Sequence, residues 1–429
     1  MHIVKGCKRY IALSFITLVI SIVIHAPIAS NPVRGIIDYS DLISIFNNRI
    51  MPHLEAELVS NGTNYVLYIH EKAVDPCGLP YVDYFFEYPT VSAGVFYASS
   101  CLGKTVASML TSGETPNQVT TLCFYAIISA FLGVFFMLSV CFFARVAELS
   151  NVLGKRVLLY VLSPSMVVYL IYNFDIIAVA LMLVALYCYM RDKLFWSGLF
   201  FGLSVSAKII PVAVAYVVFL MLLRTREWRK ILKYALGGVV GVAPLMLHAV
   251  LNPGSLLPVY NYVSSWYCEN CIYMWFEPNI FSPLHKVIFL VIGSATAVAT
   301  AAYVLKSRTV NIYVAMLTAV YAVTVFNYIN PPQYYLLILP LALLVIPSGS
   351  VFSYPLLLVS DVLNASFIAM FITDSIIRGL LGQTPLYAPW HPRSIAQPFY
   401  LERNILLILF LLLCIRKREA SRVWLSAQR

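Results

Sequence analysis

Charged residues are scarce in this chain. Of its 429 residues, 11% are Asp, Glu, Lys or Arg, whereas 61% are hydrophobic, and the mean hydropathy is +0.82. A soluble domain of this length does not have such a composition, because it needs a charged surface around its core. The sequence therefore predicts a polytopic membrane protein. Its apolar runs have the length of helices and lack the short alternation of a β-barrel, so we expect an all-α fold.

Acidic residues are fewer than basic ones, 19 against 29, and the formal net charge is +10. In a soluble protein this excess would suggest nucleic-acid binding. Here the basic residues concentrate in segments that the positive-inside rule assigns to the cytoplasm. We therefore expect membrane lipids, and no nucleic acid, among the partners.

The apolar runs predict about twelve transmembrane helices in one integral membrane domain, residues 1–429, with both termini in the cytoplasm. A full crossing needs about 20 apolar residues, and shorter runs are interpreted as tilted or broken spans. The predicted spans are 10–28, 119–144, 157–172, 174–190, 194–206, 209–223, 231–250, 287–305, 309–326, 334–346, 351–372 and 404–415.

Three extracytoplasmic segments remain between these spans, namely 29–118, 251–286 and 373–403. The first is the largest and holds an apolar run at 91–110. A crossing there would invert every later basic loop, so we interpret this run as an interfacial or re-entrant helix.

A second pair of metal ligands is missing from the sequence around Cys268 and Cys271. Both cysteines lie in a predicted extracytoplasmic segment, where disulfides are permitted. We therefore expect a local disulfide or free thiols at this pair in preference to a metal site.

One lysine interrupts the apolar run at 194–223, which basic residues flank on both sides. The run is too long for one crossing and too short for two complete ones, which predicts a hairpin of two short helices with Lys208 at its tip. An ammonium group inside the membrane is costly, so it is either functional, with an anionic partner, or it extends to the headgroups. We expect Lys208→Met to stabilise the hairpin, or at worst to leave it unchanged, because it removes a costly charge from the membrane.

Carboxylates in the first outer segment are the candidates for acid–base chemistry. Asp38 and Asp41 are three residues apart and would share one face of a helix. Asp83 and Glu87 stand among aromatic residues that include Tyr88. This combination is typical of sugar binding, although an interfacial aromatic belt has the same composition.

Polar residues also stand at the ends of two later spans. Asn173 and Asp175 occupy a predicted outer turn, and Gln333 lies at a proline-fixed helix entrance that can attract anions. Together with Lys208, they indicate a cavity at the outer membrane surface for a lipid-linked phosphate with a sugar head group.

An ordered set of motifs carries a resemblance to a known family. The set runs from Tyr39-Ser40-Asp41-Leu42 through Phe86-Glu87-Tyr88-Pro89, Asn173-Phe174-Asp175, Ala207-Lys208-Ile209-Ile210-Pro211 and Pro332-Gln333-Tyr334. In order and placement it resembles the prokaryotic polyprenyl-phosphate-mannose-dependent mannosyltransferases of the GT-C superfamily. It is similar, more distantly, to the catalytic subunit of GPI mannosyltransferase I.

The resemblance implies an inverting membrane hexosyltransferase with its active site on the extracytoplasmic face. It implies a polyprenyl-phosphate sugar as donor and a glycan, lipid or protein as acceptor. Asp41 is then the catalytic base, with Asp38 as the alternative, and the donor phosphate is bound by Lys208, Arg393 and Gln333. Sugar or acceptor binding falls to Asp83, Glu87, Tyr88, Asn173, Asp175 and Glu269. No cofactor is required, and a divalent metal near the acidic pair is left open.

Two other functions remain as alternatives. A secondary transporter or lipid flippase predicts ionisable residues within the spans, and Asp361 is the clear example in the sequence. A membrane scaffold without catalytic activity predicts that Asp41 is dispensable.

Overall fold

The computed structural model describes residues 3–28, 31, 39–51, 53–60, 65–72, 74–111, 117–347, 350–380 and 391–416. Asp38 lies outside these residues. The described part of the chain contains α-helices, three short 3₁₀ turns and one β-hairpin. The elements are α1 (Ile3–His25), α2 (Asp41–Arg49), β1 (His53–Ser60), β2 (Tyr65–Lys72), α3 (Thr90–Leu110), α4 (Asn117–Leu149), α5 (Lys155–Val161), α6 (Pro164–Tyr169), α7 (Asp175–Met190), α8 (Leu194–Ala207), α9 (Val212–Thr225), α10 (Trp228–Leu251), α11 (Leu256–Ser265), α12 (Leu284–Lys306), α13 (Ile312–Val323), α14 (Tyr335–Val345), α15 (Ser353–Leu380) and α16 (Ala396–Arg416).

Five of the described helices, α4, α10, α12, α15 and α16, are long and apolar enough to cross a membrane. Several shorter apolar helices accompany them, among them α7, α8, α9 and α13. This is consistent with the predicted α-helical membrane protein. Each of the twelve predicted segments holds helix, and the segment at 157–172 is divided into α5 and α6. The division falls at Ser163-Pro164, where the Ser163 side chain caps α6 by accepting from the Met166 amide.

The β-hairpin is a departure from the predicted all-α fold. Strand β1 pairs antiparallel with β2, and His53 opposes Lys72 at the open end. Both strands lie within the predicted first outer segment, at 29–118. Hydropathy did not distinguish them, because β1 alternates polar and apolar residues and the apolar run of β2, at 65–69, is much shorter than a membrane span.

The run at 91–110 forms the helix α3, which packs along α4. Gly103 permits the contact, because a Cβ there would stand 2.9 Å from the Phe124 backbone. A disulfide joins Cys101 in this helix to Cys77. The chain before α3 is thereby held against the helix bundle.

The predicted break in the run at 194–223 is present. Helix α8 ends at Ala207, Lys208 has extended backbone angles, and α9 begins after Pro211. Ser92 of α3 donates to the Ala207 carbonyl at 2.8 Å, which satisfies part of the exposed helix end. Lys208 therefore stands at a fixed break between two helices.

The main packing partner of α8 is α10, the helix that follows α9. Glycines four residues apart line both sides of this contact, Gly198 and Gly202 on α8 and Gly237 and Gly241 on α10. A Cβ at Gly237 would lie 2.0 Å from the Phe195 carbonyl oxygen. Small residues at this spacing let two helix backbones touch, which is a common way to join helices in a membrane.

We expect Gly237→Ala to destabilise the protein by about 1–3 kcal/mol, because the two helices must separate to admit the methyl group. The neighbouring Gly238 is the matched control, since its Cβ would meet only the Gly198 carbonyl oxygen, at 4.0 Å. Gly238→Ala should be neutral or stabilise by up to about 1 kcal/mol through helix propensity. Thermal unfolding of the two purified variants measures the difference, and equal midpoints would contradict the close contact.

Candidate active-site cavity

Asp41 is positioned by the start of α2. The Ser40 hydroxyl lies 3.1 Å from the Ile171 carbonyl oxygen and 3.2 Å from that of Tyr172, which ties the helix to the turn before α7. Phe46, on the buried face of α2, stacks on Phe124 of α4 with ring centroids 4.1 Å apart. The Asp41 carboxylate lies on the other side of α2, where it lines a cavity.

Asn173 connects two of the predicted site residues. Its Nδ2 group donates to Asp41 Oδ2 at 2.8 Å and to the Tyr88 hydroxyl at 2.8 Å. Its Oδ1 atom accepts from the Phe174 amide, so the orientation of the side chain is fixed. Asn173 is itself buried. It therefore acts as an orienting residue for Asp41.

Lys208 has the anionic partner that its position requires. Its Nζ atom lies 3.1 Å from Asp175 Oδ1, and the side chains of Lys208 and Asp175 are 10% and 0% exposed. The ammonium also lies over the rings of Tyr88 and Tyr334, at 5.2 and 5.0 Å from their centroids. Lys208 is thus held by a buried carboxylate and two aromatic faces, and it does not extend away from the protein.

Glu269 lies on a loop with several restraints. Its amide donates to the Tyr328 carbonyl, and its carbonyl accepts from the Asn330 amide, both at 2.9 Å. The Trp266 indole donates to Glu269 Oε2 at 2.8 Å. A disulfide between the flanking residues Cys268 and Cys271 closes the loop, which is one of the two states that the sequence predicted for this pair. His285 lies beside this pair, and its Nδ1 atom is 3.8 Å from Cys271 Sγ.

These residues meet at one large cavity of about 1170 Å³. Its walls include predicted site residues from five parts of the chain: Asp41, Glu87, Tyr88, Lys208, Glu269 and Gln333. Two of the polar atoms on these residues, Glu87 Oε2 and Gln333 Oε1, are buried and have no hydrogen-bond partner among the described residues. Buried polar atoms of this kind usually have partners, so these two acceptors are available to the donor groups of a ligand or of an ordered water.

The remaining predicted residues are placed differently. Asn173 and Asp175 stand directly behind the wall, where they hold Asp41 and Lys208. Asp83 does not line the cavity, and its carboxylate accepts from the Leu79 amide at 2.6 Å within a turn. Arg393 is exposed and does not line the cavity either.

The cavity also has residues that the sequence analysis did not select. Tyr39, Tyr262, Trp266 and Tyr267 form part of its lining. Tyr39 belongs to the motif around Asp41, whereas the only signal for the other three was the richness of the segment at 251–286 in aromatic residues. A helix face of aromatic residues is equally typical of the membrane interface, so the pattern did not distinguish the two.

Electrostatics make Asp41 the best candidate for a base. The pKa of Asp41 is raised to about 7, mainly by burial and then by the negative charge of Glu269, while the positive charge of Lys208 opposes the rise. Burial also raises the pKa of Glu269 and of Glu87. A carboxyl group whose pKa lies near neutrality is suited to taking a proton from a substrate hydroxyl.

No protein-family model matches the chain, and no curated protein or solved structure matches it significantly. The resemblance to the mannosyltransferases therefore rests on the sequence motifs described above.

Proposed function

We propose that the protein is an inverting glycosyltransferase that moves a hexose, as the resemblance suggests a mannose, from a polyprenyl-phosphate donor to a hydroxyl acceptor. The observation that carries the proposal is the presence of Asp41 and Lys208 on the walls of one cavity. The first is suited to be a base, and the second is a cation able to face a phosphate. The resemblance places this cavity at the extracytoplasmic surface of the cell membrane.

The lining of the cavity suits an amphiphilic donor. Between its polar groups stand apolar side chains from several helices, among them Ile209, Val212, Leu245, Val323 and Ile372. A sugar phosphate needs polar partners and a polyprenyl chain needs an apolar surface, and this cavity offers both. Lys208 keeps donor capacity for the phosphate, because an ammonium has three N–H donors and Asp175 does not require all of them.

In the proposed reaction, Asp41 takes the proton from the acceptor hydroxyl as its oxygen attacks the anomeric carbon of the donor. The new glycosidic C–O bond forms while the bond between the anomeric carbon and the phosphate oxygen breaks on the opposite side. The lipid phosphate leaves with the bonding pair, and Lys208 stabilises its charge. Asn173 keeps the Asp41 carboxylate oriented throughout.

The transporter alternative rested on Asp361, an ionisable residue within a predicted span. Asp361 accepts from the Ser165 amide at 2.9 Å, and Arg403 donates to Asn364 Oδ1 at 2.9 Å. Neither residue lines the large cavity. Both are hydrogen-bonded to neutral groups between helices, which is the arrangement of a structural polar contact.

The proposal is tested by incubating the purified protein in lipid nanodiscs with radiolabelled polyprenyl-phosphate mannose and a panel of membrane acceptors. We expect labelled product to form without a soluble nucleotide sugar. If label stays on the lipid with every acceptor, including water, and the donor does not bind, the proposed function is wrong.

The pH dependence of transfer should follow Asp41. A base works only when it is deprotonated, so with a pKa of about 7 we expect kcat/KM to fall roughly tenfold per unit as the pH drops below 7. Glu269→Gln removes a negative charge that holds the proton on Asp41. The fall of kcat/KM on the acidic side of the pH profile, called here the acidic limb, should therefore move to lower pH. Glu277, which does not line the cavity, is the matched control. Glu277→Gln should leave the limb in place, and an equal shift in both variants would contradict the assignment.

A further inference from the structure

One face of α11 forms an aromatic wall of the cavity. Val259, Tyr262 and Val263 line it at helical spacing, and Trp266 and Tyr267 continue the wall beyond the helix end. The Trp266 ring is 4.7 Å from that of Tyr262, and it stacks on Tyr267 at 5.2 Å. These side chains are half-buried or exposed and so keep surface free for a ligand.

Carboxylates flank this aromatic wall on two sides. Trp266 donates to Glu269, and the negative charges of Glu87 and Glu269 act on the Tyr262 hydroxyl, where the positive charge of Arg49 opposes them. Aromatic faces bind the apolar C–H face of a sugar ring, while carboxylates accept from its hydroxyl groups. The arrangement matches a polyhydroxylated ligand better than an aliphatic one.

The unpartnered acceptors give an independent indication of the same ligand. Gln333 is only 5% exposed and lines the cavity, and its Oε1 atom has no partner among the described residues. Glu87 is half-buried and lines the cavity as well, and its Oε2 atom also has no partner among the described residues. Both atoms accept hydrogen bonds and cannot be satisfied by another acceptor, so a ligand that contacts them must bring donors.

Charge decides between neutral and acidic ligands. The cavity walls carry the acids Asp41, Glu87 and Glu269, while the basic side chains on them are Arg49, Lys208 and His248. The charge of Lys208 is balanced by the buried Asp175, which lies behind the wall. Arg49, whose charge also acts on the Tyr262 hydroxyl, offsets one of the three carboxylates, so an acidic ligand at the α11 wall would still meet an excess of negative charge.

We propose that the α11 wall, with Glu87, Glu269 and Gln333, is an acceptor subsite that binds an uncharged sugar unit and rejects an acidic one. This inference rests on the proposed function and specifies the acceptor as a neutral glycan. Trp266 is its central contact residue, because it supplies the stacking face and also orients Glu269.

Binding is tested by saturation-transfer NMR with the full chain in lipid nanodiscs, free of glycosidic detergent. The probes are methyl α-mannoside and methyl α-mannuronide, which differ only in a hydroxymethyl or a carboxylate group at C6. We expect the mannoside to bind and the mannuronide to bind at least tenfold more weakly. Equal binding of the two probes, or no binding of the mannoside, would overturn the proposal.

The position of the subsite is tested with a pair of tryptophans. Trp266→Ala should weaken mannoside binding at least tenfold, and Trp266→Phe should restore most of it by returning an aromatic face. Trp275 lies in the same outer segment but does not line the cavity, so Trp275→Ala should bind normally. Glu87→Gln gives a second test in a variant that keeps the tryptophan. This variant should reduce the difference in affinity between the mannoside and the mannuronide. An unchanged difference in affinity would contradict the role of the Glu87 charge.

The outcomes separate this inference from the proposed transferase activity. Mannoside binding that depends on Trp266, without any transfer that depends on Asp41, would support the subsite and contradict the proposed transferase activity. Transfer that depends on Asp41, with mannoside binding unaffected by Trp266→Ala, would support the transferase activity and contradict only the subsite.

Discussion

Lys208→Met is expected to destabilise the protein by about 3–5 kcal/mol, because it leaves the buried Asp175 carboxylate without its cation. The sequence alone predicted the opposite result, a hairpin that is stabilised or unchanged, since the removal of a charge from the membrane is favourable. The ion pair reverses that expectation. Thermal unfolding of the purified variant gives the sign directly, and a midpoint at or above that of the wild type would contradict the pairing.

Two further variants make the Lys208 result specific. The double variant Lys208→Met/Asp175→Asn removes both charges, so it should recover most of the stability that the single variant loses. Lys230 is the matched control, because its ion pairs with Asp192 and Glu227 are partly exposed. Lys230→Met should change the stability by no more than about 1 kcal/mol.

Asp41→Asn is expected to lower the rate of transfer by roughly 10²- to 10⁴-fold, the usual effect of losing a general base. Folding should be almost unchanged, because asparagine can still accept the hydrogen bond from Asn173 with its amide oxygen. Single-turnover transfer from labelled donor measures the rate, and donor binding measured on the same sample shows that the cavity is intact.

The control for Asp41→Asn is Glu277→Gln, which changes an acid away from the cavity and should transfer at the wild-type rate. An active Asp41→Asn together with an inactive Asp38→Asn would exchange the roles of the two aspartates. Activity in both variants would favour the non-catalytic scaffold.

The sequence predicted the parts of the fold that depend on local composition. The apolar runs located the helices, and the lysine before Ile209-Ile210-Pro211 located the break between α8 and α9. Proline restricts the residue before it and cannot donate a helical hydrogen bond, so a break of this kind can be read from a few neighbouring residues.

Contacts between distant segments could not be predicted in the same way. Asp175 was identified as a polar residue at a helix end, but its pairing with Lys208 depends on how α7 packs against α8. Trp266 was not selected from the sequence, because the aromatic residues of the segment at 251–286 fit a membrane interface as well as a ligand site. The hairpin of β1 and β2 was missed because a hydropathy analysis detects apolar runs of the length of a membrane span, and each strand has only eight residues.

The most direct test of the central claim is a structure of the protein in a lipid nanodisc with a non-transferable polyprenyl-phosphonate sugar. We expect the phosphonate oxygens within about 3 Å of Lys208 Nζ, the distance of a charge-assisted hydrogen bond, and the anomeric carbon open to attack from the side of Asp41. A head group bound outside the cavity, for example against Arg393, with Asp41 and Lys208 not in contact with the ligand, would contradict the proposed active site.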